Sequence, residues 1–449
     1  MASGVRLFIR VLLGYIAVYA FVLYTWKKPL LPLNEEYLKQ YKLIEAPVWD
    51  LEEALYINNA HCDPADVNFD RNAVNAHKED WSRITMDQIL LFRQSMEKYV
   101  NAAVHKGRIS GRGIVMSAGD EAAMQRAIVN ISLLRHYGCK LKVQIYHYED
   151  EAEKISQNVI DRLGLLEADV IELGGLKRGT DWKAYQIKAI AIQRCSFEEI
   201  LYLDTDSYLA KDPTYLFDSA PYHEHGAMLW PDFTKSHPTN PVWRLLGIPC
   251  RPEFEGESGQ MLFNRARHQD TLHLAEYFAL EHQTYYSFMG GDRDSFRIAA
   301  LALGKRWGGP KRMVAAAGIS RPNGGHTMMQ SDHLGAWLFV HANLLKHSSL
   351  PKDQEKTWSR LTRHKNDTFA GTSLYGDLAG NEKLGDGVKV EVSSTPAMFT
   401  GHTTFQEDSK TSAVENVLKD KLVEEIFPDA DQALRSFEDL FFRFGGVRL

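Results

Sequence analysis

The 449-residue sequence has few cysteines and no excess of positive charge. None of its four cysteines, Cys62, Cys139, Cys195 and Cys250, forms a CxxC pair, so a zinc-ribbon interpretation has no support. One or two disulfides in an oxidising compartment and four separate buried thiols both stay open. The 52 basic residues are outnumbered by 58 acidic ones. Because nucleic-acid-binding domains usually carry a basic excess, we expect no nucleic-acid partner.

Charge is also absent from residues 11–26, which read VLLGYIAVYAFVLYTW. As a helix, this run would be about 24 Å long at about 1.5 Å per residue, which is short for a hydrocarbon core of about 30 Å. Basic residues flank the run on both sides, so charge gives no clean orientation. A cleaved signal peptide would have small residues after the apolar run, whereas Tyr24, Trp26, Lys27 and Lys28 stand there. We therefore predict an uncleaved signal-anchor transmembrane helix with a single membrane span.

The remaining chain shows neither an internal repeat nor a low-complexity tract. Hydrophobic residues make up 44% and charged residues 24%, a balance typical of a globular protein with a sizeable core. The predicted organisation is a cytoplasmic tail and anchor (1–28), a stem (29–105) and a lumenal catalytic domain (106–449), with an irregular insertion at about 365–405 and closing helices at 408–443. Two Asn-x-Ser/Thr sequons, at Asn130 and Asn366, are compatible with a lumenal location.

From residue 113, short apolar strands alternate with helical segments. The predicted strands are 113–117, 142–146, 169–173 and 199–203, and the helices between them are 121–137, 151–163 and 182–194. This rhythm predicts βαβ units, an α/β fold and a mostly parallel sheet. The loop after the first strand reads SAGDEAAMQR and lacks GxGxxG spacing, so a dinucleotide-binding fold has no support. Ligands of such sheets bind at the carboxyl ends of the strands.

Asp204-Thr205-Asp206 follows the fourth predicted strand. Two carboxylates just past a strand end can converge on one magnesium or manganese ion and leave open positions for diphosphate oxygens. That cation would neutralise the charge on a leaving nucleotide diphosphate. A polar strand-to-loop turn is the alternative, but the position after a βαβ series and an anchor favours the metal site.

Further motifs follow in order. These are the segment 185–219 around the two aspartates, then 257–260 (ESGQ), 291–297 (GDRDSFR), 328–332 (MMQSD) and 339–343 (FVHAN). Over about residues 110–350, the chain resembles the fungal α-mannosyltransferases of glycosyltransferase family 71, of the Mnn1/Mnn2 type. The resemblance implies a GT-A-like, Rossmann-like nucleotide-sugar half, in which residues 113–125 would cradle the nucleotide base. The reaction that it implies is manganese-dependent and configuration-retaining and uses GDP-mannose. It also implies a type II Golgi membrane protein that acts in protein glycosylation or cell-wall mannan synthesis.

The resemblance implies metal and donor roles for four residues. Asp204 and Asp206 would bind the metal and the donor, and His341, at the end of a late apolar strand, would complete the metal site. A satisfied structural histidine is the alternative for His341. Lys188 lies in the helix before the aspartates and would reach a donor phosphate, or else sit on a solvated face.

Catalytic contacts are implied for Glu257, Gln260 and Asp292. Glu257 and Gln260 are expected just before a strand, where they would hydrogen-bond sugar hydroxyls. Their alternative is turn chemistry around the neighbouring glycines. Asp294 is expected to cap a helix, which leaves Asp292 to face the substrate. Trp230 and Trp307 could stack on sugar rings, but tryptophan is more often a core residue.

The sequence thus predicts transfer of mannose from GDP-mannose to a mannose hydroxyl of a glycan, in an α-1,2 or α-1,3 linkage. No residue is an obvious nucleophile. Another donor such as UDP-galactose fits the two aspartates equally well. An inactive subunit of a mannan-synthesising complex is a third interpretation, and the intact acidic motifs disfavour it. A glycosidase would not explain the strand order that precedes the aspartates.

Overall fold

Two six-stranded sheets organise the fold. The computed structural model describes residues 42–66, 69, 71–102, 109–179, 185–318, 325–345, 356–369 and 422–447. The strands are β1 Arg112–Ser117, β2 Lys142–Tyr148, β3 Ala168–Leu173, β4 Glu199–Leu203, β5 Ser207–Leu209, β6 Ala227–Lys235, β7 Phe254–Asn264, β8 Ala315–Gly318, β9 Gly325–Ser331, β10 Trp337–His341, β11 Arg360–His364 and β12 Leu422–Ile426.

Helices cover both the N-terminal part and the connections between strands. They are α1 Leu51–His61, α2 Arg71–Arg83, α3 Met86–Ala102, α4 Glu121–His136, α5 Gln157–Leu165, α6 Ile187–Arg194, α7 Ala220–His225, α8 Pro241–Leu246, α9 Arg265–Leu280, α10 His282–Met289, α11 Ser295–Ala302 and α12 Phe437–Arg443. Among the described residues, no helix is both long and apolar enough to cross a membrane, and the predicted anchor at 11–26 lies outside them.

The first sheet has the strand order β3-β2-β1-β4-β7-β6. Its first four strands are parallel, which confirms the predicted βαβ series. Strands β7 and β6 then pair antiparallel at the β4 side. The second sheet, β12-β11-β8-β9-β10-β5, is antiparallel throughout. The sequence did not predict this sheet, so a mostly parallel sheet describes only the first half of the fold.

The central parallel strands, β1 and β4, are buried because helices cover the sheet. Ile114, Val115 and Met116 of β1 are fully buried, as expected for a continuous apolar run in a parallel sheet. Helix α4 packs onto the same core with residues such as Ile128 and Ile131. It starts where the Asp120 carboxylate accepts a hydrogen bond from the Ala123 N–H, which satisfies one of the free donors of the first turn. This core fixes where β1 and β4 end.

Several boundaries differ from the prediction. Helix α5 begins at Gln157 rather than 151, because residues 149–154 form a 3-10 turn, and helix α6 begins at Ile187 rather than 182. Strand β7 begins at Phe254 and so includes Glu257 and Gln260, which were expected just before a strand; it pairs with β6 from Phe254 onward. Residues 422–426, predicted as helix, form β12, which adds to the antiparallel sheet. Most of the predicted insertion lies outside the described residues.

The first described helices pack onto the region around α8. Buried Arg93 of α3 donates to four backbone carbonyls, two in residues 46–47 and two in residues 244–245. A disulfide joins Cys62, after α1, to Cys250. Cys139 and Cys195 are buried thiols. Residues from Lys42 onward therefore belong to one compact unit, although part of this stretch was predicted as stem.

Candidate active site

A cleft of about 660 Å³ opens at the carboxyl ends of the parallel strands. Its walls come from segments that are far apart in sequence. The predicted site residues that line it are Lys188, Asp204, Asp206, Glu257, Asp292 and His341. The structure thus gathers all but one of the predicted residues, and the exception is Gln260.

Strand pairing explains how His341 reaches the two aspartates. Strand β5 starts immediately after Asp206 and pairs antiparallel with β10, so that Ser207 lies opposite His341. The Ala342 N–H donates to the Asp206 carbonyl at 2.9 Å, which ties the end of β10 to the aspartates. A late strand of the second sheet therefore completes a site that begins in the first sheet.

A second pairing brings Glu257 to the same place. Strand β7 runs antiparallel to β4, with Gln260 opposite Leu203. The Asp204 N–H donates to the Gly259 carbonyl at 2.8 Å. Glu257 was expected in a loop before the strand, but it lies within β7, where its carboxylate is held beside the imidazole of His341.

Three of these residues could hold a divalent cation. One ligand atom each from Asp204, Glu257 and His341 lies within 4.8 Å of the other two. Two carboxylates and an imidazole are a donor set that suits manganese. Asp206 is outside this trio, but its Oδ1 lies 3.5 Å from His341 Nε2, while Glu257 Oε1 lies 3.4 Å from His341 Nδ1. The predicted metal residues are adjacent, and Glu257 joins them.

The charge states of His341, Glu257 and Asp206 depend on one another. Burial alone would lower the pKa of His341, but the Glu257 and Asp206 carboxylates outweigh it and raise the pKa to about 10. Burial would raise the pKa of Glu257, but His341 outweighs it and holds the pKa below its usual value. A positive charge between the buried carboxylates of Glu257 and Asp206 therefore stabilises both of them. A cation bound by the same atoms would supply it, so the donor set fits a divalent metal.

Lys188 occupies the centre of a second group of contacts. Its ammonium is 2.7 Å from Asp292 Oδ2 and 3.1 Å from Asp204 Oδ2, and it donates to the carbonyl and hydroxyl of Ser258. Burial would lower the pKa of Lys188, but Asp204 and Asp292 raise it well above its usual value. The lysine is not on a solvated face. Its positive charge offsets the repulsion between the buried Asp292 carboxylate and the partly exposed Asp204 carboxylate.

Asp204 is held from both sides. Its Oδ2 accepts from Lys188, and its Oδ1 accepts from the Tyr202 hydroxyl at 3.0 Å. Burial raises the pKa of Asp204, and the Lys188 ammonium opposes that shift. Asp292 likewise accepts from the Ser258 hydroxyl at 3.1 Å. Both carboxylates have fixed positions on the cleft wall.

Gly259 makes the approach of Glu257 and His341 possible. A Cβ atom at this position would lie 2.4 Å from His341 Cε1 and 2.8 Å from Glu257 Oε1. Those distances are well inside ordinary van der Waals contact, so only glycine fits there without displacing a side chain. The ESGQ motif contained this residue, but a role in close packing could not be predicted without knowing that His341 lies opposite.

Two sequence predictions are wrong in their placement. Gln260 is fully buried, is not among the described residues that line the cleft, and accepts from the Ser207 hydroxyl at 3.0 Å. It supports the start of β5 rather than a sugar. Asp294 does not cap helix α11 with its side chain but accepts two hydrogen bonds from Arg297 and one from the Gly256 N–H.

Of the two interpretations of Trp230 and Trp307, the core one holds, because both side chains are fully buried. The Asn130 sequon is buried in α4, where its amide donates to the Ser207 carbonyl, whereas Asn366 is exposed.

One end of the cleft contains charged residues that the sequence did not single out. Residues 117–119, at the end of β1 and within the stretch predicted to lie at the nucleotide base, line it together with Glu151 and Arg178. Glu151 follows β2, and Arg178 lies in the loop after β3. Three consecutive acidic residues directly after a strand, at 149–151, were the available signal.

Comparison with known proteins finds similarity to mannosyltransferases. The family described as "Mannosyltransferase putative" matches residues 111–243 and 251–336. The matched residues make up just under half of the chain, and the match confirms the resemblance to the Mnn1/Mnn2-type fungal enzymes.

Two relatives illustrate the similarity. Alpha-1,2-mannosyltransferase MNN21 of Candida albicans is 25% identical over 277 residues, which are 49% of this chain and 42% of the relative. Alpha-1,2-mannosyltransferase MNN2 of Saccharomyces cerevisiae is 22% identical over 303 residues, which are 56% of this chain and 50% of the relative. The matched part thus spans about half the length of these relatives. Among solved structures, the mannosyltransferase Ktr4p of S. cerevisiae is 8% identical, with a TM-score of 0.29. The match covers 57% of this chain and 81% of the Ktr4p chain.

Proposed function

We propose that the chain is a metal-dependent enzyme that transfers mannose from GDP-mannose to a hydroxyl of a mannose-containing glycan. The observation that carries this proposal is the cleft, in which Asp204, Glu257 and His341 form a cation-binding group beside Lys188 and Asp292. The match to the mannosyltransferase family supports mannose as the transferred sugar.

In this proposal Mn²⁺ is held by Asp204, Glu257 and His341, with Asp206 beside the histidine. When bound, the ion would neutralise the charge that develops on the leaving nucleotide diphosphate. The chain's own residues fix the positions of the carboxylates. The lysine ammonium and the Tyr202 hydroxyl hold Asp204, and the hydrogen bonds of β4, β7 and β10 hold the backbone that carries the other ligands.

Asp292 is the residue we assign to the sugar. It lines the cleft and lies 2.7 Å from the Lys188 ammonium. A carboxylate in such an ion pair is a poor nucleophile because its charge is already neutralised, but it can still accept hydrogen bonds from sugar hydroxyls. This favours a front-side route to retention, in which the leaving phosphate accepts the acceptor's proton, over a double displacement through Asp292.

The location we propose is the Golgi membrane, with a single type II span and a lumenal catalytic domain. The uncharged run at 11–26 and the Cys62–Cys250 disulfide support it, because structural disulfides persist in oxidising compartments. Membership of a mannosyltransferase complex stays part of the same proposal.

The test is incubation of the purified chain with GDP-mannose, Mn²⁺ and a mannobiose acceptor, followed by linkage analysis of the product. We expect an α-linked mannosyl product, none from Asp206→Ala, and full activity from Asp161→Ala, which changes an exposed aspartate on α5. Activity of Asp206→Ala in excess EDTA would contradict the metal claim. Turnover with UDP-galactose alone would establish the rival donor, and donor binding without turnover would favour an inactive subunit.

A further inference from the structure

The end of the cleft lined by residues 117–119 carries a carboxylate and a guanidinium side by side. Glu151 Oε1 lies 3.1 Å from Arg178 Nη1, and both residues line the cleft. We propose that this pair selects guanine over other bases. The inference rests on the proposed function, since it concerns the nucleotide half of the same donor.

The position of Glu151 is fixed by its surroundings. Its Oε2 accepts from the Tyr148 N–H at 3.1 Å, and its carboxylate lies against Gly119. A Cβ atom at Gly119 would be 2.0 Å from Glu151 Oε2, so this glycine leaves the space that the carboxylate occupies. Only 2% of Glu151 is exposed. An anchored carboxylate on a cleft wall is prepared to accept hydrogen bonds before a ligand arrives.

Arg178 is anchored through its backbone as well as its side chain. The Arg178 and Gly179 N–H groups donate to the two oxygens of Asp150 at 2.8 and 3.1 Å. The Gly175 N–H donates to Glu149 at 3.0 Å. The acidic turn after β2 therefore holds the loop after β3, and 27% of the Arg178 side chain stays exposed toward a ligand.

The distance from the metal group suits a nucleoside. Strand order β2-β1-β4 places the turn that carries Glu151 two strands away from Asp204. Two strand spacings are about 10 Å. An extended nucleoside diphosphate bridges a comparable distance between its diphosphate and the far edge of its base, with residues 117–119 in between.

The chemistry of the pair matches guanine. Guanine presents two adjacent donors, N1–H and the 2-amino group, and two adjacent acceptors, O6 and N7. A carboxylate accepts from both donors, and an arginine donates to the acceptors. Uracil presents a single N–H between two carbonyl oxygens, and a carboxylate would repel those oxygens. The same pair therefore favours GDP over UDP.

The experiment measures nucleotide affinity by calorimetry at fixed Mn²⁺ concentration, using the full chain and GDP, UDP, inosine diphosphate and xanthosine diphosphate. Inosine lacks the 2-amino group, and xanthosine has an oxygen in its place. We expect the wild-type chain to bind inosine diphosphate at least tenfold more weakly than GDP, because one charge-assisted hydrogen bond is lost. Xanthosine diphosphate should bind more weakly still.

The decisive variant is Glu151→Gln. A glutamine amide can accept from N1–H and donate to the xanthine oxygen, so the variant should lose at least tenfold in GDP affinity and gain at least tenfold for xanthosine diphosphate. A purely structural role would lower both affinities by the same factor. The matched control is Glu153→Gln, an exposed residue of the same turn, which should bind both nucleotides like the wild type. Arg178→Ala should weaken both by a similar factor, because O6 and N7 are common to both.

The outcomes separate this inference from the proposed function. Preference for GDP over UDP, without a switch in Glu151→Gln, would overturn the base-reading pair and leave the donor proposal intact. Preference for UDP in the wild type would overturn both. If Glu151→Gln does not fold, the wild-type comparison decides: equal binding of GDP and inosine diphosphate overturns the pair.

Discussion

Gly259→Ala is the substitution whose effect can be worked out most directly. The added Cβ would lie 2.4 Å from His341 Cε1 and 2.6 Å from His341 Nδ1, whereas ordinary contact begins at 3.4 Å. His341, Glu257 or the β7 backbone must therefore move by about 1 Å. Metal ligands tolerate displacements of only about 0.2 Å before the coordination geometry is lost.

The expected loss follows from that displacement. Misplacing the surroundings of one metal ligand typically weakens metal affinity by about 10–100-fold, or about 1.4–2.8 kcal/mol. Overpacking at a buried strand should also lower the free energy of unfolding by about 1–3 kcal/mol. The assay is titration of Mn²⁺ into the protein in the presence of GDP, with a thermal melt of each variant.

Gly256→Ala is the matched control on the same strand. A Cβ at Gly256 would lie 3.4 Å from Arg297 Cβ, at the edge of ordinary contact, and no metal residue is among its three nearest atoms. We expect Mn²⁺ affinity close to wild type. Wild-type Mn²⁺ affinity in Gly259→Ala would refute the assignment of the metal to Glu257 and His341. Equal losses in both variants would point to a general effect on β7.

The remaining predictions concern stability and the ion pairs. Burial lowers the pKa of His268 from 6.5 to about 4, so the unfolded chain binds a proton at this histidine first as the pH falls. About 3 kcal/mol of stability, fully present above pH 6.5, should therefore be lost between pH 6.5 and 4 in urea melts. The loss should be less steep in His268→Gln and should equal that of the wild type in the exposed control His61→Gln. The Cys62→Ser/Cys250→Ser variant opens a loop of 188 residues and should lose about 2–5 kcal/mol in the same melts, and a stability equal to wild type would contradict a structural disulfide. Lys188→Met leaves the buried Asp292 carboxylate and the partly exposed Asp204 carboxylate without their shared cation. The variant should lose about 3–5 kcal/mol of stability together with GDP affinity, and retention of both would show that the lysine is dispensable.

The sequence predicted the elements that local pattern controls. The apolar runs of β1 to β4 and β10 are short and bounded by turn residues, so their positions were predicted within one or two residues. Asp204 and Asp206 could be placed because a strand end is a local feature. The antiparallel sheet was not predicted, because its assembly depends on pairings that local pattern does not encode, such as that of β10 with β5, more than a hundred residues earlier in the chain.

The same distinction between local pattern and long-range contact applies to the site residues. The family motifs included His341 and Glu257, but their roles depend on which strands are neighbours. The β4–β7 register places Glu257 with the metal group and Gln260 behind it, and no periodicity in the sequence encodes that register. Glu151 and Arg178 carried no motif, because their pairing arises from a turn and a loop that meet only in the folded chain.

The link between Cys62 and Cys250 has a consequence for synthesis of the protein. A ribosome that adds about 5–20 residues per second needs about 10–40 s to proceed from the first cysteine to the second. During that interval Arg93 has no carbonyls of residues 244–245 to bind, because those residues do not yet exist. The first helices must therefore wait, with their apolar faces and one thiol exposed, until more than half of the chain has been made. This order makes the N-terminal segment a candidate client of chaperones and disulfide isomerases during biogenesis.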